Sequence, residues 1–433
     1  LFAENNTMIR ALVISFAVLF ALGCKPKPTQ AGAVTAPTRD TLVGYEPHEI
    51  EFVRRPTNFN FLSPRSVNPE AYFPDTTNER YLPIRYLRVN FHLMNTSDTL
   101  YPYWGEAGWK YAREVVIHAN NLLKKTPALW LTPDSMEVPA LPRRLLLSLG
   151  RKPGTEEYAV YDHFDDELYS YLHGGRERNR SDRSVISKYA VDKDSVLNIF
   201  VMGPPRDSID SPTWRSPGMV GIFLGDAIKI TGWMERDRPP WEHRGNLVHE
   251  IGHALGLRHA WTRNDGCTDT PVHKNDFWAR PKNQRGPGKT SNNLMDYSNR
   301  QEALTPQQIG IMHFRMSDIT GRQRKWLVPY WCRYNPHEAV RVTKDLNWEG
   351  ARDFNSDIFV RRGSLLRINN RVHLPDGAAI YVDPGARLEL GPNAIIHSDC
   401  GGQWAGIKVG VSALGTRGEV EVNQRAIIMN EAR

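Results

Sequence analysis

The chain has 433 residues, 40% of them hydrophobic and 24% charged, which suits a globular protein of two or three domains and excludes a disordered or collagen-like one. Its formal charge of +7 admits a polyanionic partner, but the basic residues are scattered. The one dense cluster, GGRERNRSDR at 174–183, has no interleaved aromatic residues, so it reads as a solvated loop and no nucleic-acid partner is expected.

Leu1 is no initiator, whereas Met8 opens MIRALVISFAVLFALGC, in which Arg10 precedes an apolar run from Ala11 to Leu22. That run is short for a membrane span and has the layout of a secretory signal. Its end, ALGC, resembles the lipobox of bacterial lipoproteins. The resemblance implies a leader and signal over 1–24, with Cys24 acylated as the first mature residue and anchoring the chain to a membrane. A plain signal peptide with an incidental cysteine is the other reading. Residues 25–45, rich in Pro, Thr and Ala, suit a linker. Over 46–83 no period emerges, and an N-terminal wrap and a pro-segment both stay open. Without Cys24, three cysteines remain, Cys267, Cys332 and Cys400. They allow at most one internal bridge and spell out no disulfide framework.

The first clear element is IRYLRVNFHLM (84–94), where Leu87, Val89, Phe91 and Leu93 alternate with polar partners as in a half-buried strand. In 106–123, Trp109, Ala112, Val116, Ala119 and Leu123 recur at spacings of three and four, which predicts a helix with one apolar face and leaves His118 on the surface. SVLNIFVMG (195–203) reads as a central strand and GMVGIFLGD (218–226) as a shorter one bounded by glycines. Followed by a helix near 250, this order predicts a mixed α/β (α+β) domain over 84–335. Beyond residue 345, IFVRRGSLLRI (358–368) and IYVDPGARLEL (380–390) align at an offset of 22 residues, matching Ile358 with Ile380, Gly363 with Gly385 and Leu366 with Leu388. An all-β module over 345–433 is expected, β-solenoid-like or, as the alternative, a β-sandwich. WAGIKV (404–409) begins a further rung. The chain stops at IIMNEAR without an evident cap, so the module is expected to continue in a longer reading frame.

The chemistry is concentrated in NLVHEIGHALGLRH (246–259). On a helix, residues four apart share a face, so His249 and His253 can present imidazoles to one zinc ion. Glu250 is one step around, placed to reach water rather than to join the ligands. Gly256 lets the helix stop and the chain turn back, because a left-handed backbone costs glycine little. His259 then returns as third ligand, and a fourth position stays open. Zinc with three imidazoles and a neighbouring carboxylate is chemistry for hydrolysis, Glu250 taking the proton of the attacking water. The five fixed positions arise by accident in about one chain in ten thousand of this composition.

The extended motif resembles the signature of the metzincin metallopeptidases. That resemblance implies a tight turn downstream with a methionine beneath the metal, and SNNLMDYS (291–298) fits, with Met295 as the base and Tyr297 near the metal as a ligand or a donor to the oxyanion. Together with DGCTDTP (265–271) and LTPQQIGIMH (304–313), it resembles the pappalysin branch, also called cytophagalysins, over roughly 84–320. The branch implies paired cysteines here, yet Cys267 has no evident partner. It also implies calcium, for which Asp265, Asp269 and Thr270 are candidate ligands, a polar turn being the other reading. Metzincin substrates lie along an edge strand. GIFLG (221–225) is the candidate, edge or interior, with Ser298 and Asn299 shaping a side-chain pocket. Residues 25–266 hold no cysteine, so latency would need another ligand or steric cover by the segment before residue 80.

The resulting expectation is a zinc metalloendopeptidase acting on a protein or peptide, lipid-anchored in a bacterial cell envelope or secreted, whose β-module holds an unidentified partner. The alternatives are a surface adhesion lipoprotein with a vestigial peptidase domain and a zinc hydrolase of another substrate class.

Overall fold

The computed structural model describes residues 44–48, 68–100, 103–134, 136–171, 181–206, 220–231, 239–429 and 431. Cys24, the linker up to residue 43, residues 49–67 and most of the basic cluster at 174–183 lie outside them. Among the described residues no helix is long and apolar enough to cross a membrane.

A short strand, β1 (Gly44–Pro47), precedes a mixed α/β region. Its sheet is built around β2 (Arg85–Asn95), which pairs in parallel with β3 (Leu145–Leu149) along its first half and with β4 (Val160–Phe164) along its second. On the other side lies β5 (Leu197–Val201), again parallel, then β7 (Ala227–Ile230), and finally β6 (Gly221–Phe223), the antiparallel edge. Helix α1 (Gly105–Leu123) covers the sheet, and a short α2 (Ser184–Tyr189) precedes β5.

The sequence pattern predicts a half-buried β2, but every residue from Val89 to Asn95 is buried. Flanked by parallel partners and their crossovers, the strand has no solvent face. Its polar members are satisfied laterally: His92 lies 2.9 Å from His163 Nε2 through Nδ1 and 2.8 Å from Asn198 Oδ1 through Nε2. The predicted stripe of α1 is corrected at Trp109, which is exposed, while Gly108, Tyr111, Val115 and Leu122 join the buried face. A Cβ at Gly108 would come within 2.5 Å of Leu93 Cδ1. The helix therefore approaches the sheet at the glycine and turns the neighbouring indole outward.

Helix α3 (Arg244–Ala254) carries the histidine motif. Helix α4 (Pro306–Ser317) starts at a capping box of Thr305 and Gln308, with Pro306 in its first turn. The short α5 (Arg322–Lys325) leads to the β-rich C-terminal region.

There, each circuit of the chain adds one strand to each of three sheets. The first contains β8 (Val340–Val342), β11 (Ile358–Val360), β14 (Ile380–Val382) and β17 (Ile407–Val411). The second contains β9 (Leu346–Trp348), β12 (Leu365–Ile368), β15 (Arg387–Leu390) and β18 (Glu419–Val422), and the third β10 (Arg352–Asp353), β13 (Arg371–His373), β16 (Ile395–His397) and β19 (Ile427–Ile428). All pairs within these stacks are parallel. Ile358 stands opposite Ile380 and Leu366 opposite Leu388, so the residues matched in the repeat stack in register and form one apolar core. Gly363 and Gly385, at φ +76° and +71°, turn equivalent corners that other residues adopt only with strain.

The N-terminal segments rest on this region. β1 pairs antiparallel with β17, so residues 44 and 45, expected within the linker, stand in a strand. A turn at Pro69–Tyr72 lies on α4, its Pro69 carbonyl against Gly310. The Tyr72 hydroxyl accepts a hydrogen bond from the Ala351 amide at 3.2 Å.

A buried knot joins the two regions. Asp353 of β10 accepts from Arg324 and Arg371 at 2.6 Å each, and Arg85 of β2 stands at 3.4 Å. Burial alone would raise its carboxyl, but Arg324, Arg371 and Arg85 together hold it well below the ordinary range. Arg371 also donates to the Ser317 carbonyl at the end of α4. Beside the knot, Cys332 and Cys400 form a disulfide across 68 residues, the single bridge that three cysteines permit. Cys267 is free, and burial pushes its thiol far up.

Candidate metal centre

Helix α3 lies against the sheet because Leu247, Val248, Ile251 and Ala254 enter the core. Its end is a Schellman motif: Leu257 N–H donates to the Gly252 carbonyl at 2.9 Å and Gly256 N–H to the His253 carbonyl at 3.0 Å, with Gly256 left-handed at φ +96°. This turn brings His259 back. His253 Nε2 and His259 Nε2 stand 3.2 Å apart, and one ligand atom from each of His249, His253 and His259 lies within 4.8 Å of the others.

These residues fit a zinc ion. Tetrahedral coordination at about 2.0–2.1 Å sets the nitrogens roughly 3.3 Å apart, close to the His253–His259 separation. The tautomers are fixed by what lies behind the rings. His249 Nδ1, which also has Gln301 Nε2 at 3.0 Å, lies 2.7 Å from the Leu294 carbonyl and His253 Nδ1 lies 2.9 Å from the Leu257 carbonyl; a carbonyl can only accept, which places the ring proton on Nδ1 and leaves Nε2 of each for a ligand role. Burial, then the adjacent imidazole, lowers His249 to about 3 and His259 to about 4; burial lowers His253 as well. All three are therefore neutral at pH 7, the form that binds a metal.

Met295 is fully buried beneath the helix, where a Cβ at Gly252 would come 2.5 Å from its sulfur. Asn293 holds the turn: its Oδ1 accepts from Met295 N at 2.9 Å, and its Nδ2 donates to Gln308 Oε1 at 2.9 Å. Tyr297 is 46% exposed, with its ring 4.9 Å from His259 and 5.9 Å from His249. Glu250 is buried and faces the edge strand. A Cβ at Gly221 would collide with its Cγ, Cδ and Oε1, so only glycine permits this approach.

A cleft of about 1360 Å³ opens over the site, bounded by Val220–Phe223 on one side and Tyr297–Glu302 on another, with His249, Glu250, His253 and His259 in its lining. Of GIFLG, Gly221–Phe223 thus form the sheet edge among the described residues, and Ser298 and Asn299 border the cleft. The described residues of 46–83 do not line it. Asp265, Asp269 and Thr270 are buried in a separate loop. Asp265 accepts from Cys267 N at 3.0 Å and Thr270 Oγ1 at 2.6 Å, and Asp269 accepts from Gln307 N at 2.9 Å, tying the loop to α4. Burial raises both carboxyls.

Three residues of the site, Trp261, His273 and Asn275, and the contact of Gly221 with Glu250 were not foreseen. Trp261 stacks on His259 at 4.2 Å and 14°, and its position two residues on, which shares a side in an extended chain, was a usable signal. Gly221 touches Glu250. His273 accepts from Asn275 N at Nδ1, so its Nε2 donates to Asp296 at 3.0 Å, and Asn275 Oδ1 receives Tyr297 N at 3.2 Å. These contacts join segments far apart in sequence, and no spacing announces them.

Neither a family model nor a curated protein matches the chain. Among solved structures, one described as mirolysin in complex with compound 9 aligns with a TM-score of 0.34 and 18% identity, covering 57% of this chain and 96% of that one. A likeness of that degree assigns no activity, and the functional reading rests on the residues themselves.

Proposed function

We propose that the protein is a zinc metalloendopeptidase of metzincin type, secreted or held at a bacterial cell envelope through Cys24, with a C-terminal β-solenoid. The observation that carries this reading is the convergence of three neutral imidazoles, with Glu250 beside them, in a cleft bordered by a sheet edge. A bound zinc ion would supply Lewis acidity, lowering the pKa of water and polarising a carbonyl. His249, His253 and His259 would hold it. An extended peptide would pair with the main chain of β6, which brings its carbonyl over the site. Glu250 takes a proton from the attacking water and returns it to the departing amine nitrogen. The Tyr297 phenol donates a hydrogen bond to the developing oxyanion. The parallel, in-register stacking supports the solenoid reading of the C-terminal region.

The test is cleavage of a mixed peptide library by the purified, zinc-loaded protein beside Glu250→Ala, read by mass spectrometry. Cleavage should fall about 10²–10⁴-fold in the variant while bound zinc stays at one equivalent. Equal cleavage by both, or none by the parent, would remove the peptidase assignment. The family resemblance also carries calcium at Asp265, Asp269 and Thr270. A calcium-dependent rise in Tm that disappears in Asp265→Asn would support it, and indifference to calcium and to chelator would remove it.

A further inference from the structure

Two tryptophans border the cleft, Trp241 and Trp278, respectively 48% and 61% exposed. Two open indoles at the rim of one cleft offer apolar area that a bound side chain can cover. Trp278 is also held in place. Its neighbour Phe277 is buried and meets it edge-on at 5.2 Å. The guanidinium of Arg285 lies 5.0 Å from the Phe277 ring and 5.6 Å from the Trp278 ring. It is fixed there by bonds from Nε to the Arg280 carbonyl at 2.9 Å and from Nη2 to the Trp278 carbonyl at 3.2 Å. The loop that carries Trp278 is docked on the methionine turn through His273 and Asn275. The indole is thereby positioned relative to Tyr297 and the histidines before any ligand arrives, which lowers the ordering cost of binding.

Resting on the peptidase reading, we propose that Trp278 determines specificity. It selects an aromatic or large aliphatic side chain at one fixed position of a peptide bound along β6 and disfavours lysine or arginine there. The cleft lining also holds Glu242 and Glu302, and the class follows from the cations that lie on the indoles themselves. A cation attracted to an indole face would here meet the Arg285 guanidinium beside the same ring, and Trp241 carries Arg244 in the same way, at 5.4 Å. An apolar side chain meets no such repulsion and gains the buried area. In an extended peptide on β6 successive side chains alternate in direction, so a wall residue meets one position and not its neighbours.

The test uses fluorescein-labelled peptides of alanine, serine and glycine in which one phenylalanine, or one lysine, is moved through successive positions. Binding to zinc-loaded Glu250→Ala and Glu250→Ala/Trp278→Ala is read by anisotropy, and cleavage by the parent is measured in parallel. Phenylalanine at one position should bind about ten-fold more tightly than lysine there. That preference should vanish in Trp278→Ala and return in Trp278→Phe. Identical series with and without the indole, or no binding preference at any position, would overturn the proposal. A Trp278-dependent preference in a protein that cuts nothing would sustain this inference and sink the peptidase reading. Cleavage by the parent with no effect of Trp278 would do the reverse.

Discussion

The candidate metal centre and the Asp353 knot both bury polar side chains, and they do so for opposite ends. In the metal centre three imidazoles are kept neutral and turned toward an open cleft, with backbone carbonyls behind His249 and His253. In the knot one carboxylate is enclosed by Arg85, Arg324 and Arg371, and its charge is spent within the protein. Buried polarity left facing a cleft is available for chemistry, whereas buried polarity closed on itself fixes how two regions are joined. Substitutions in the first should therefore remove function and spare the fold, and substitutions in the second the reverse.

The largest effect is expected at Asp353. Asp353→Ala leaves three buried guanidinium groups without their shared partner and should cost about 3–5 kcal/mol, read by calorimetry or urea titration. Because the folded carboxyl is held below its unfolded value, its contribution is complete above about pH 4 and is lost only as pH falls through the depressed folded pKa. Parent and variant should thus differ fully at pH 5–7 and converge only in strong acid. A variant within 1 kcal/mol of the parent at pH 7 would show that the knot does not hold the regions together.

Removing the disulfide with Cys332→Ser/Cys400→Ser tests the same junction covalently. The bridge closes 68 residues, and its loss should cost about 2–4 kcal/mol. Peptide cleavage well below the transition should be unchanged, since neither cysteine borders the cleft. If cleavage falls instead, the junction and the site are coupled and the contrast drawn above fails.

Gly221→Ala reverses the pattern. The added methyl group collides with the Glu250 side chain and must push either the carboxylate or the edge strand aside. We expect kcat to fall about 10–100-fold with zinc content and Tm close to the parent's. A parallel loss of zinc would mean that the clash had displaced helix α3, which carries His249 and His253 as well as Glu250, and not the carboxylate or the strand alone.

What could be read from the sequence divides along the same line. The histidine motif was legible because helical periodicity and one glycine carry it. The 22-residue repeat was legible because in-register stacking forces like residues into like places, as at Ile358 and Ile380. Trp109 was misplaced because apolar spacing does not reveal that Gly108 brings the helix onto Leu93. Nothing in the sequence singles out Arg85, Arg324, Arg371 and Asp353, since charged residues carry no period that announces burial, and their partners are set by how two regions meet. Cys332 and Cys400 are 68 residues apart, and an odd set of three thiols gives no rule for choosing the pair.

The smallest expected effect lies within the metal centre and sharpens the comparison there. His249 and His253 are oriented by directional bonds from Nδ1 to the main chain, which no side-chain substitution removes. His259 is held by its stack on Trp261, and an aromatic contact is worth only about 0.5–1.5 kcal/mol. Trp261→Ala should therefore weaken zinc binding by about ten-fold or less, measured by competition with a zinc indicator, while Trp261→Phe stays near the parent. Quenching of tryptophan fluorescence by cobalt in the same site should diminish in both variants, because the indole stacked on His259 is gone. If Trp261→Ala binds zinc as tightly as the parent, the turn at Gly256 alone sets the third ligand. The asymmetry between main-chain and side-chain support would then have no energetic weight.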